Sequence, residues 1–154
     1  MIKKIVFAVL AMCSLNAVSS ELNFDELGFT MKSLSDSSTS PHQVVMLTLP
    51  PEHGFSSNVA VMIQAYEGTL AEYKALTQEQ FKTHNISLVN EHLAETYLII
   101  EYTGFMQDKS LHWYAKAMKK NGSIFLATGS TLGALWDKDK DKIIKSVNSL
   151  KLTK

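Results

Sequence analysis

The sequence predicts an α+β fold: a mainly antiparallel β-sheet flanked by helices. Three observations predict it. Apolar, β-branched runs bounded by Pro, Gly and Asn recur between residues 43 and 128. A capping box opens a helix at Thr69. Asn121-Gly122 joins two strand-like runs, and that pair marks a tight hairpin because both residues tolerate positive φ. The resulting order is strands, helix, four strands, helix, with one helix available for each face of the sheet.

The elements follow in chain order. Phe29-Thr30-Met31 reads as a short strand. Ser35 to Pro41, rich in Ser, Thr and Asp and closed by proline, reads as a loop. Gln43 to Leu49 is β-branched and apolar between Pro41 and Pro50-Pro51, a strand. Pro50 to Ser57 is turn-rich, and Asn58 to Tyr66 is a second strand that stops before Gly68. In Thr69-Leu70-Ala71-Glu72 the Thr hydroxyl can accept from the backbone N–H three residues on, while Glu72 reaches back to the N–H of Thr69. Leu70, Tyr73, Leu76 or Thr77, and Gln80 or Phe81 then recur at helical spacing, predicting a helix over about 70–83.

Ile86–Leu93 and Tyr97–Phe105 read as strands. The second is apolar on both alternating faces at its centre, which predicts cover on both sides. Leu111–Lys120 has the Ala and Lys content of a helix, but Asn121-Gly122 and the β-like Ser123–Thr128 make it a hairpin strand. Gly129-Ser130-Thr131-Leu132-Gly133 reads as a turn. An amphipathic helix over about 133–149 closes the chain, with Trp136, Ile143, Ile144, Val147 and Leu150 on one side and the lysines and aspartates elsewhere.

Composition bounds the function. The 154 residues suit one folded domain, and 45% hydrophobic with 19% charged residues is globular. Fifteen basic residues balance fifteen acidic ones, and all fifteen are lysine. Without arginine's forked grip on phosphate and guanine, and without net positive charge, nucleic acid is not the expected partner.

Residues 1–20 have the three parts of a secretory signal. Lys3 and Lys4 precede an apolar run from Ile5 to Leu15, and Ala17, Ser19 and Ser20 are small residues where cleavage needs them. The run, about 11 residues, is too short for a bilayer core of roughly 30 Å. A chain cut after Ser20 keeps thirteen lysines against fifteen carboxylates, a net charge of −2. Cys13, the only cysteine, lies inside this signal, so the processed chain has no thiol. Leu10-Ala11-Met12-Cys13 resembles a lipobox, with Met12 in place of the usual small residue, and lipidation at Cys13 is the lesser alternative. The expected organisation is a signal peptide over 1–20, an N-terminal segment with the Ser-rich loop over 21–42, and an α+β domain over 43–154.

The residues Leu47-Thr48-Leu49-Pro50, Gly54-Phe55, Asn58-Val59-Ala60-Val61 and Gly68-Thr69-Leu70-Ala71-Glu72-Tyr73 resemble the start of the PsbP-like superfamily. Its relatives include DcrB-type envelope proteins, the DUF1795 group and Mog-type proteins. Ile124–Thr128, a helix around Trp136, and Val147-Asn148-Ser149-Leu150 resemble its ending. The match spans roughly residues 43–152, and its motifs are structural. The resemblance implies an α/β/α sandwich, a bacterial member, and an accessory or binding role without a shared catalytic motif; export is expected from the signal over residues 1–20.

Chemistry is sparse in the sequence. His42, His53, His84, His92 and His112 have no metal-ligand spacing. Asp137-Lys138-Asp139-Lys140-Asp141-Lys142 begins like a calcium loop, but Lys142 stands where glycine is needed and Asn148 where a glutamate is needed. It reads instead as a solvated first helical turn whose aspartates favour the helix N-terminus. Thr128 replaces the first glycine of a nucleophile elbow before Ser130. No catalytic, cofactor or metal motif is signalled. Phe55, Tyr66, Tyr73, Tyr97, Tyr102, Trp113, Tyr114 and Trp136 read chiefly as core.

The loop from Pro50 to Asn58, with Glu52, His53, Phe55 and Asn58, is together with a sheet edge the expected contact surface, since loops on rigid scaffolds carry function. The expected function is an exported, periplasmic, non-catalytic envelope module that binds a protein partner. The alternatives are a small-ligand carrier with a pocket between sheet and helix, and a hydrolase with a fold-assembled Ser/His/Asp or metal site that would draw on His53, His84, His92 or His112.

Overall fold

The computed structural model describes residues 21–24, 29–32 and 42–153. The expected signal sequence with Cys13, and the loop from Ser35 to Pro41, lie outside the described residues. The chain divides into two compact units after Ser40. In the first, β1 (Glu21–Phe24) pairs antiparallel with β2 (Phe29–Lys32), Glu21 opposite Lys32.

The second unit holds β3 (His42–Thr48), β4 (Asn58–Ala65), α1 (Leu70–Thr83), β5 (Ser87–Leu93), β6 (Tyr97–Met106), β7 (Lys109–Lys120), β8 (Ser123–Leu132) and α2 (Trp136–Asn148). Its six strands form one antiparallel sheet in the order β3-β4-β8-β7-β6-β5. α1 carries the chain from β4 to the far edge at β5. Its capping box forms as expected: the N–H of Glu72 donates to the Thr69 hydroxyl, and the N–H of Thr69 donates to the Glu72 carboxylate. The Asn121-Gly122 hairpin also forms, with φ of 50° and 70°. Gln107 and Asp108 make a second turn of this kind between β6 and β7, without the glycine that would have announced it.

Successive strand residues point to opposite faces, so the helices sort the core into two layers. On one face Tyr73, Thr77 and Phe81 of α1 are buried. They meet Gln64 of β4, whose amide donates to the Tyr73 hydroxyl at 2.6 Å, and Tyr102 of β6, whose ring lies 4.7 Å from Phe81. Trp113 stacks on Tyr102 from β7. Burial pushes the phenols of Tyr73 and Tyr102 well above the ordinary tyrosine value. On the other face Ile143 and Val147 of α2 pack on Val59 and Ala127, flanked by Tyr114 and Trp136. Each fully buried aliphatic side chain, such as Leu98, Ile124 or Val147, contributes about 1.5–3 kcal/mol.

Three expectations are corrected. Residues 129–132 are not a turn; β8 runs on to Leu132. Gly129 is a glycine because α2 lies so close that a Cβ there would sit 2.1 Å from Cγ2 of Ile143. The closing helix starts at Trp136, preceded by a 3₁₀ turn over Gly133–Leu135. β6 is covered on one face only: Leu98, Ile100 and Tyr102 are buried, but Tyr97, Ile99 and Glu101 stay half-buried because α2 packs on β8, β7 and β4.

Candidate functional site

The loop between β3 and β4 folds as a small hydrogen-bonded turn. Glu52 and Phe55 exchange backbone hydrogen bonds of 2.8 and 2.9 Å across His53 (φ 51°) and Gly54 (φ 71°). The N–H of Leu49 donates to the carbonyl of Ser57 at 2.8 Å and closes the base of the loop. Within it, the Asn58 amide donates to the Ser56 carbonyl at 3.0 Å.

Side chains from three other elements fasten the loop. Ser57, 2% exposed, donates to the Asp139 carboxylate at 2.7 Å. That bond uses the only hydroxyl proton of Ser57, so Thr131, 2.7 Å away on β8, donates to the Ser57 oxygen. Asp139 is 5% exposed and lies four and eight residues before Ile143 and Val147, on the buried stripe of α2. The expected solvated first turn is therefore wrong at Asp139, although Asp137 is exposed and paired with Lys140. α2 has no side-chain N-cap, and Asp137 and Asp139 place negative charge on its first turn. Lys140, by its hydrogen bond and then its charge, holds the Asp137 carboxyl below its ordinary value. At the loop tip Lys138 pairs with Glu52. Lys109 donates to the Gly54 carbonyl at 3.0 Å and lies 5.9 Å from the Phe55 ring centroid.

Of the four expected contact residues, Glu52, Phe55 and Asn58 are partly buried and held from within, and His53 projects from the tip. The open surface beside them is β3, an edge strand. Val45, Met46 and Leu47 are 41, 52 and 56% exposed. Between β3 and α2 runs a groove of about 90 Å³. Leu47, Leu49, Val59 and Ile143 supply its apolar lining, and Lys142 is its one charged residue among the described residues.

The histidines scatter. His84 caps α1 and is exposed, and His92 is exposed on β5 beside the Tyr97 ring. His112 is buried, its Nε2 2.7 Å from the Glu101 carboxylate and its ring stacked 3.7 Å from that of Trp136. It stands opposite Thr131 in the β7–β8 register, beside the Ser57 knot. Among the described residues no group of three or more His, Cys, Asp or Glu side chains is placed to hold a metal ion. Among them, too, no helix is long and apolar enough to cross a membrane. A larger cleft of about 470 Å³ lies at the start of α1, between Leu70, Glu95, Met118 and Leu152.

Ser57, Thr131 and Asp139 belong to no sequence motif that marks them as site residues. The one signal is position: Asp139 falls at helical spacing ahead of Ile143 and Val147.

No protein-family description matches this sequence, and no curated protein does. Among solved structures, the chain is similar to the crystal structure of PA94, a protein of unknown function from Pseudomonas aeruginosa. The two share 12% identity over 88% of this chain and 98% of that one, with a TM-score of 0.66, which shows a common fold. The solution structure of cyanobacterial PsbP (CyanoP) from Synechocystis sp. PCC 6803 aligns over 91% of this chain and 96% of that one, with 16% identity and a TM-score of 0.49.

Proposed function

We propose that this chain is an exported, non-catalytic accessory module of the bacterial cell envelope, built on the PsbP-like plan. It binds a partner protein through the Pro50–Asn58 loop and the neighbouring β3 edge. One observation carries the reading: the loop is tied to α2, β7 and β8 while presenting His53 beside an open, apolar strand. A loop held in one shape loses little entropy on binding. The three-part signal over residues 1–20 supports export to the periplasm.

Capture of crosslinked envelope proteins by the tagged chain tests this reading. One reproducibly enriched protein, lost when Phe55 becomes Asp, is the expected result; enrichment unchanged by that substitution counts against the loop.

The cleft of about 470 Å³ favours a second reading, a small-ligand carrier, since its volume falls within the range of ligand pockets. Native mass spectrometry of the exported chain tests it: a bound small molecule supports a carrier, and a bare chain mass opposes one.

A further inference from the structure

The open edge has a chemistry that specifies its partner more closely. β3 carries no lysine, aspartate or glutamate, its one titratable residue being His42, and among the described residues it has a strand neighbour, β4, on one side only. Natural edge strands are usually guarded by lysine, by an inward-pointing charge or by a covering element. The opposite edge, β5, also exposes Leu88, Val89 and Leu93, but it carries a charge: Glu91, held by Lys74 at 2.7 Å and by Gln78 at 2.8 Å. β3 shows Val45, Met46 and Leu47 with no carboxylate or lysine among them.

The register sets what an added strand would meet. Leu47 lies opposite Val59 and Val45 opposite Val61, on the face covered by α2. A strand laid along β3 would therefore point alternate side chains into the groove between Leu47, Leu49 and Ile143. The groove's room, about 90 Å³, suits one aliphatic side chain of the order removed in large-to-small core substitutions. Its rim is positive. Among the described residues, Lys142 lines it without an ion-pair or hydrogen-bond partner, and no carboxylate shares the lining. Glu52, the acid on the adjoining loop, is engaged by Lys138.

We infer that β3 receives an extended strand of a partner protein, apolar at alternate positions and bearing a carboxylate that meets Lys142. The inference rests on the protein-binding reading and names the chemistry of its partner. A second copy of this chain is the poorer occupant. Two β3 edges brought together would bring two Lys142-lined grooves with no acid on either strand to answer them.

The test uses the purified full chain and two acetylated eight-residue probes of alternating Val and Thr, one with a central Glu and one with Lys in its place. Fluorescence anisotropy reads affinity, and hydrogen-exchange mass spectrometry reads protection of residues 43–48. The Glu probe should bind about fivefold tighter than the Lys probe, the size expected for one exposed charge pair. It should also slow exchange along β3. Lys142→Glu should reverse the preference, and Leu47→Lys should weaken both probes. Equal affinities, or a preference untouched by Lys142→Glu, overturn the inference. So does slow exchange over 43–48 before any probe is added, which would mean that a second copy or the chain's own residues 1–40 cover the edge. Sedimentation velocity separates those two occupants. The envelope capture distinguishes this failure from that of the broader reading. A partner retained by Leu47→Lys and Lys142→Glu but lost by Phe55→Asp refutes strand addition and leaves the loop as the binding surface.

Discussion

Ser57 and Asp139 stand 82 positions apart and share a buried 2.7 Å hydrogen bond. The bond joins the end of the β3–β4 loop to the first turn of α2. With Thr131 donating to Ser57 from β8, it fixes the loop, the helix and the centre of the sheet at one point. The ties that hold the loop thus come from inside the molecule.

Ser57→Ala should loosen that point. The buried Asp139 carboxylate would keep only the Thr131 hydroxyl, 3.5 Å away, as a side-chain donor among the described residues. Leaving a buried acceptor so poorly served costs about 1–3 kcal/mol. Urea unfolding should show a lower midpoint at unchanged slope, and amide exchange should quicken over residues 49–57. A midpoint equal to that of the parent chain would mean that the knot does not hold the loop.

Gly129→Ala should be among the most damaging small substitutions in the sheet. Its Cβ would sit 2.1 Å from Cγ2 of Ile143, so the Ile143 side chain must leave its rotamer or α2 must move off β8. Overpacking of this kind costs about 1–3 kcal/mol. Adding Ile143→Ala should recover part of that loss, so that the double variant is more stable than the two single costs added together predict. Strict additivity in a double-mutant cycle would contradict the close approach of helix and sheet.

Acid should weaken the cap of α1. The backbone N–H of Thr69, and then its side chain, hold the Glu72 carboxyl below its ordinary value of 4.5. A group whose folded value is lowered contributes its stability in full above 4.5, and that contribution fades as pH falls toward the folded value. Glu72→Gln cannot titrate. Its melting temperature should therefore fall less steeply below pH 4.5 than that of the parent chain. Parallel pH curves would show that the capping box adds no pH dependence.

Elements set by local chemistry are legible in the sequence. Thr69 and Glu72 meet within one turn, and Asn121-Gly122 reverses the chain by its own backbone preference, so both features form as expected. Features set by distant neighbours are not legible in this way. Gly129 has the pattern of a turn residue because the pressure of Ile143 on it comes from another element. Asp139 has the pattern of a solvated residue because three aspartates alternate with lysines around it, and only its spacing to Ile143 and Val147 marks the buried face. The loop is legible as a surface feature, but its ties are not. Ser57 meets Thr131 and Asp139 at separations of 74 and 82 positions, beyond the reach of any local pattern.

The most direct test of the binding role places a photoreactive phenylalanine analogue at position 53 of the chain, in the envelope, and a second at position 84 as a control. His53 projects from the fastened loop, while His84 is exposed at the end of α1, just before β5 at the opposite edge of the sheet. Position 53 should give a single discrete adduct with an envelope protein, and position 84 none. No adduct from position 53, or equal adducts from both positions, would contradict the binding role.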